Sequence, residues 1–312
     1  MAGLKQIKRR VKSVRNTRKI TSAMKLVAAA KLRRAQDAVT NSREYADSIN
    51  QLLSQLVSAG QDADFSHALM ASREVKSIAL MVVGGNRGLC GGYNTNMNKA
   101  VDAFFRDQRA ENPKMNISGI LLGRKPAEHF RGASHPIGES HEDLAEDPAR
   151  WPLEEICEAV KNQFVSGKVD AVYLAYTRFH SPISVRPCIE QLLPFDALVQ
   201  QTGAQTESAS EDHDTAGDGT AANSASAGLT IFEPSVQAVF AAVIPRIFRT
   251  KVLQACLDSK ASEHGCRMTA MDSATKNAGE LAQKLQLQHN RMRQAEITNQ
   301  LLDIVGGAEA LN

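Results

Sequence analysis

Three groups of residues have types and spacing that could do chemistry. The first is the run Gly84-Gly85-Asn86-Arg87-Gly88-Leu89-Cys90-Gly91-Gly92, which follows an apolar stretch. A glycine-rich turn between strand and helix can cradle a phosphate on backbone N–H groups. The details needed for a nucleotide are missing: there is no G-x-G-x-x-G, and no G-K-[ST] to bring a lysine and a hydroxyl to the phosphates. A tight turn that lets a helix pack closely on a sheet fits better, with Gly88, Gly91 and Gly92 as its structural positions. The second group is His135 and His141 with Glu139, Glu142 and Asp143 nearby. Its six-residue histidine spacing matches no standard metal site, so a polar surface loop without a metal is expected. The third is the N-terminus, where residues 1–40 hold twelve Lys or Arg against one acid, Asp37. Those residues include no aromatic to stack a base, which favours a solvated face or acidic protein partners over nucleic acid. No nucleophile elbow, H-E-x-x-H or S-x-x-K is present, so no catalytic centre and no cofactor are expected.

The elements that must position these residues divide the chain in an unusual way. Residues 4–57 read as one helix, with an apolar stripe at Leu4, Ile7, Val11 and Val14, continued at Ile20, Met24 and Val27. A helix of that length needs an apolar partner. Near the other end, Leu281, Leu285, Gln288, Met292, Ala295, Asn299 and Leu302 follow each other at steps of four and three. This is a heptad rhythm, so the helix should supercoil against another, and the N-terminal helix is the obvious candidate. The C-terminal helix should begin near Pro234-Ser235, with Pro245 kinking it or marking a restart. Between the two lie alternating segments: strands at 75–83, 117–122 and 169–176, helices at 94–109, 125–130 and 153–165, and an extended edge segment at 184–193 carrying Pro187. The expected class is α/β: a long coiled coil of the terminal helices plus a small, mostly parallel, Rossmann-like α/β domain.

The expected boundaries are 1–58 for the first coiled-coil helix, 75–195 for the α/β domain and 234–312 for the second helix. Residues 200–228 hold no Lys, Arg, aromatic or large aliphatic side chain, and are expected to be an acidic low-complexity insertion without stable structure. An apolar fraction of 43% with only 5% aromatics suits long exposed helices with a narrow seam. Net charge is +3, because acids in the middle balance the basic start. No eighteen-residue apolar run spans a bilayer, and the start shows no secretory or transit signal, so a cytosolic location is expected. The five cysteines are scattered with no C-x-x-C. Cys256 and Cys266 on one helix would stand about 15 Å apart, so reduced thiols are expected.

Three blocks carry a resemblance over nearly the whole chain: I7-K-R-R-V-K-S-V-R-N-T-R-K-I-T-S-A-M-K-L-V-A-A-A-K31, R87-G-L-C-G-G-Y-N94, and R267-M-T-A-M-D-S-A-T-K-N-A-G279 followed by R293-Q-A-E-I-T298 and I304-V-G-G-A308. In that order they resemble the gamma-subunit family of F-type proton-translocating ATP synthases. The resemblance implies an antiparallel coiled coil that acts as a non-catalytic central rotor. It implies three alpha and three beta subunits, the epsilon subunit and the c-ring as partners, and the cytoplasmic face of a bacterial inner membrane as the location. It further implies that Met24, Lys25 and Arg267 face an acidic region of beta, and that Arg293, Gln294 and Thr298 face the beta loop that catches the shaft. Leu301, Leu302, Ile304 and Val305 would turn in an upper bearing, and Thr230, Phe232 and Glu233 would touch the c-ring. The sequence departs from the family pattern at Gly85-Asn86, Thr230, Gly265-Cys266 and Gln300. The 200–228 insertion lies where the chloroplast enzyme carries a thiol switch, but it has no cysteine, so no such regulation is expected. Two other classes fit the residues less well: a stand-alone anion- or nucleotide-binding α/β protein with a coiled-coil stem, and a basic helical nucleic-acid binder.

Overall fold

A computed structural model describes residues 2–59, 67–194, 233 and 235–309. The expectations for 200–228, for Thr230 and Phe232, and for the side chain of Val305 fall outside the described residues. Helix α1 (Ala2–Ala59) has glycine only at Gly3 and no proline, so nothing interrupts its hydrogen-bond ladder. The central elements follow as β1 (Ser77–Val83), α2 (Tyr93–Glu111), β2 (Asn116–Leu122), α3 (Arg124–Ala133), β3 (Ile137–His141), α4 (Leu153–Val165), β4 (Ala171–Phe179) and β5 (Val185–Leu193). Helix α5 (Val236–Glu309) completes the chain. The Ser235 hydroxyl caps it by accepting from the Ala238 N–H at 3.2 Å. It continues through Pro245 without a restart.

The five strands form one sheet in the order β3-β2-β1-β4-β5. β1 pairs in parallel with β2 and β4, and β2 pairs in parallel with β3, whereas the edge strand β5 runs antiparallel to β4. Strand alternation sorts the core into two faces. Ile78, Leu80 and Val82 of β1 pack with Met97, Val101 and Phe105 of α2 and Phe130 of α3. Ala79, Met81 and Val83 face the other way, toward Ile156, Val160 and Phe164 of α4 and Phe248, Val252 and Cys256 of α5. Thus α5 packs on the domain as far as Thr269, whose Oγ1 donates to the Pro182 carbonyl at 3.2 Å, and continues beyond it as a shaft.

One segment read as a polar loop is in fact a strand. β3 comprises Ile137–His141 and carries little buried surface, so its sequence lacks the apolar alternation that marks a strand. Pairing with β2 places it at the sheet edge.

Candidate functional site

The shaft is built from α1 and α5, which run antiparallel. Arg15 Nη2 donates to Gln286 Oε1 at 3.2 Å, Thr275 Oγ1 donates to Thr21 Oγ1 at 2.8 Å, and Arg43 lies 3.8 Å from Asp258. Partner numbers fall along α5 as they rise along α1. On α1 the buried positions include Val11, Thr21, Ala28, Leu32, Val39, Ala46 and Ile49. On α5 they include Met271, Ala278 and Ala282, with Leu285 and His289 half-buried beyond them. Both series keep the three-four step of a heptad seam.

The register differs from the one expected. Leu281, Gln288, Ala295, Asn299 and Leu302 are exposed, and so are Ile20 and Val27 of α1. The buried seam mixes larger residues (Val11, Leu32, Val39, Ile49 and Met271) with small ones (Thr21, Ala28, Ala46, Ala278 and Ala282). Other large apolar residues, Ile20, Leu26, Val27 and Leu281 among them, are left on the outside. The apolar stripe at Leu4, Ile7, Val11 and Val14 does turn inward, whereas of the α5 heptad positions only Leu285 is half-buried.

At the junction of shaft and sheet lies a cleft of about 660 Å³. Ile20, Met24, Val27 and Lys31 of α1 line one side, and Lys260, Glu263, His264 and Arg267 of α5 line another. Asn86–Leu89 and Leu144 with Glu146 close it. Four charged or ionisable groups sit in its floor. Lys260 Nζ is 3.0 Å from Glu263 Oε2, and Arg267 Nη2 is 2.7 Å from Glu263 Oε1. Burial alone would raise the Glu263 carboxyl, but Lys260 and Arg267 hold it below its ordinary value. Arg267 also donates to the Gly88 carbonyl at 3.3 Å, which ties the glycine loop to α5.

His264 completes the network. Arg267 Nη1 lies 3.3 Å from its Nδ1, and its Nε2 is 3.2 Å from Glu146 Oε1. A neutral ring carrying its proton on Nε2 satisfies both neighbours. Burial outweighs the nearby carboxylates and lowers the His264 pKa to about 4, consistent with that neutral form. Glu146 also accepts from Lys31 Nζ at 2.9 Å, so α1, the loop before α4, and α5 are linked through one carboxylate. The Glu146 carboxyl is pushed up by burial, but the Lys31 hydrogen bond and nearby cations bring it below the ordinary range.

The glycine loop has divided roles. A Cβ on Gly84 would collide with the ring of Pro126 at the start of α3, including Cδ at 2.7 Å. Gly91 has φ +57, a conformation that glycine adopts without strain. Gly92 is the residue before α2 and its carbonyl accepts from Asn96 N at 2.8 Å. Gly88 meets nothing within 4 Å, so close packing does not demand it; its carbonyl matters as the Arg267 acceptor. Asn86 Oδ1 accepts from the Arg124 N–H at 3.0 Å, and its Nδ2 donates to Leu144 O at 3.0 Å. The loop's polar groups serve neighbouring segments of the chain itself.

A family model described as ATP synthase matches residues 3–311. The ATP synthase gamma chain of Heliobacterium modesticaldum is 40% identical over 311 residues, spanning 100% of both chains. That of Anaeromyxobacter dehalogenans strain 2CP-C is 40% identical over 313 residues, again spanning 100% of both. The chain belongs to the ATP synthase gamma chain family. Solved structures of low identity share the fold. A chain of the Euglena gracilis mitochondrial ATP synthase (OSCP/F1/c-ring, rotational state 3) has TM-score 0.62 at 21% identity, covering 99% of this chain and 95% of that one. A chain of the Tetrahymena thermophila mitochondrial ATP synthase central stalk and c-ring has TM-score 0.55 at 22% identity, covering 82% and 99%.

In this gamma chain the residues singled out by resemblance fall in three places. Met24, Lys25 and Arg267 gather around the junction cleft or beside it, with Lys25 Nζ 2.6 Å from Asp272 and Arg267 held in the buried network. Arg293, Gln294 and Thr298 are exposed far up α5, where Thr298 Oγ1 donates to the Gln294 carbonyl. Leu301, Leu302 and Ile304 lie near the tip and are all more than half exposed. Glu233 is exposed before α5. Sequence reasoning passed over Glu263, His264, Lys260 and Glu146. The Lys260–Glu263–Arg267 spacing of three and four was the available signal, since it places all three on one helix face. Among the described residues, no helix is long and apolar enough to cross a membrane.

Proposed function

We propose that this gamma chain is the central rotor shaft of an F-type ATP synthase. It transmits torque between a c-ring at the sheet end and a catalytic ring of three alpha and three beta subunits around the helix tips. Proton translocation is thereby coupled to ATP synthesis or hydrolysis. The observation that carries this reading is the continuity of α5. One unbroken helix runs from the domain core, where Phe248 and Val252 are fully buried, to Leu301, Leu302 and Ile304, which are exposed. Force applied to the domain therefore reaches the tip through a single hydrogen-bonded rod.

The chain itself performs no bond chemistry in this scheme. It sits peripherally on the cytoplasmic face of a bacterial inner membrane and binds the epsilon subunit at its α/β domain. Met24, Lys25 and Arg267 lie at the level of an acidic beta region. Arg293, Gln294 and Thr298 engage the beta catch loop, and Leu301, Leu302, Ile304 and Val305 turn in the upper bearing. Thr230, Phe232 and Glu233 touch the c-ring. Segments 1–58 and 234–312 serve as the shaft, 75–195 as the foot, and 200–228 as an insertion outside both. The large apolar side chains turned away from the α1–α5 seam, Ile20, Leu26 and Val27 among them, support a sleeve of other subunits around the shaft.

The test is deletion of residues 1–31 in the assembled, membrane-bound complex. ATP-driven proton pumping should be abolished. Pumping at the unmodified rate would overturn the proposal.

A further inference from the structure

On the face of the sheet opposite α4 and α5, three side chains converge that the rotor reading does not use. Asp102 of α2 receives both His129 Nε2 at 2.8 Å and His135 Nε2 at 2.9 Å on the same Oδ1. One ligand atom from each residue lies within 4.8 Å of the other two. A tetrahedral zinc-class ion with bonds of roughly 2.0–2.1 Å holds its ligand atoms about 3.4 Å apart. The 2.8 and 2.9 Å contacts and the 4.8 Å limit on the third separation bracket that spacing.

We propose that Asp102, His129 and His135 form a binding site for a divalent transition-metal ion of the zinc class. Two imidazoles and one carboxylate are the donor set that borderline metals of this class accept. Ligation through each Nε2 requires the ring tautomer that carries its proton on Nδ1.

The fold presets both histidines. His129 lies on α3, and α3 ends at Ser134, whose left-handed φ of 55 reverses the chain. The His135 N–H then donates to the Phe130 carbonyl at 3.0 Å, which turns its ring back beside the helix. Phe105 stacks on that ring at 4.2 Å with the planes 12° apart. An orientation fixed by packing lowers the entropy lost on ligation. The His129 and His135 side chains are 21% and 12% exposed, so the site is sheltered without being sealed. A shallow cleft lined by Asn98, Glu128 and His129 opens beside His129. Glu128 is already paired with Lys125 Nζ at 2.5 Å. A bound ion ties α2 to the end of α3.

The experiment uses the full-length chain, stripped with a chelator, dialysed, and titrated with zinc or cobalt(II). The wild-type chain should bind one zinc per chain. The His129→Gln/His135→Gln double variant should lose affinity by about tenfold or more, equivalent to about 1.4 kcal/mol. The cobalt(II) complex should show a spectrum of nitrogen and oxygen ligands without a thiolate charge-transfer band. This reading separates the site from the five cysteines, and it stands on the wild-type chain even where the histidine variants fail to fold. Cys90→Ser/Cys266→Ser should bind as the wild type does. Binding unchanged in the histidine variant, a thiolate band, or no saturable binding would each overturn the proposal.

Discussion

Lys25 Nζ and Asp272 Oδ1 stand 2.6 Å apart, although 247 residues separate them in the chain. The pair bridges α1 and α5 just above the sheet, and Lys276 adds a second cation to the same carboxylate at 2.9 Å. A lysine that the family resemblance assigns to an outside partner is therefore also an internal strut of the shaft.

The pair has a measurable signature. Hydrogen bonds from Lys25 and then Lys276 lower the Asp272 carboxyl from 3.8 to about 2. Because the folded value lies below the ordinary one, this contribution is present above pH 4 and is lost as pH falls through about 2. Lys25→Met should move the Asp272 titration midpoint upward, read by NMR of the side-chain carboxyl. An unmoved midpoint would show that Lys276 alone sets it.

Glu263 should be the costliest single charge to remove. Its side chain is 4% exposed, and Lys260 and Arg267 are 6% and 12% exposed. Glu263→Gln strands two buried cations, and losing one partner of a buried pair costs on the order of 3–5 kcal/mol. Urea unfolding of the full chain checks this. A loss below about 1 kcal/mol would mean that water screens the junction.

Asp258 should work against stability at neutral pH. Its side chain is 6% exposed, and among the described residues its Oδ1 accepts no hydrogen bond, with Arg43 at 3.8 Å. Burial raises its pKa from 3.8 to about 6. Between those values the folded chain keeps a proton that the unfolded chain releases, so stability falls as pH rises through the window. Asp258→Asn should gain on the order of 1–3 kcal/mol at pH 7 and nothing below about pH 4. His264 acts in the opposite sense between about 4 and 6.5, where the unfolded chain binds the extra proton. The quantity to measure is therefore the difference between variant and parent across pH, not either curve alone.

The two glycines that bracket Cys90 should respond differently to alanine. Gly91→Ala places a Cβ at φ +57 and should cost roughly 1–2 kcal/mol. Gly88→Ala meets open space and should stay within about 0.5 kcal/mol. Thermal unfolding of both variants checks the contrast; equal losses would assign Gly88 a steric role that its surroundings do not show.

The upper end of α5 offers a functional test. Leu301, Leu302 and Ile304 are exposed, and α1 pairs with α5 well below them. Truncation after Leu301 should weaken the bearing yet leave part of the ATPase activity of the assembled complex. Complete loss would place essential torque transfer in the last turns.

Much of this protein is legible in its residues. The helix-forming run of α1 and the α/β alternation between the termini follow from local propensity and apolar period. The mostly parallel sheet follows from that alternation, and the rotor family from three ordered motifs. Those signals are local or repeat along the chain. β3 was hidden because an exposed edge strand needs no apolar alternation. Gly265 departs from the family pattern, and a Cβ there would come within 3.2 Å of Pro182 Cα, so the tight approach of the β4–β5 turn accounts for the glycine. The buried face of α5 is hard to see in the sequence because Ala278 and Ala282, which lie on it, carry almost no hydrophobic signal.

The sequence by itself determined the period of the shaft, the class of the domain and the family. Only the tertiary structure decided which face of each helix is buried and which charges lie at the junction. It alone brought His129 and His135 together on Asp102. The physical reason is range. Helix and strand patterns are set by neighbours a few residues apart. The partner of Lys25 or Asp102 is set by packing that joins segments far apart in the chain.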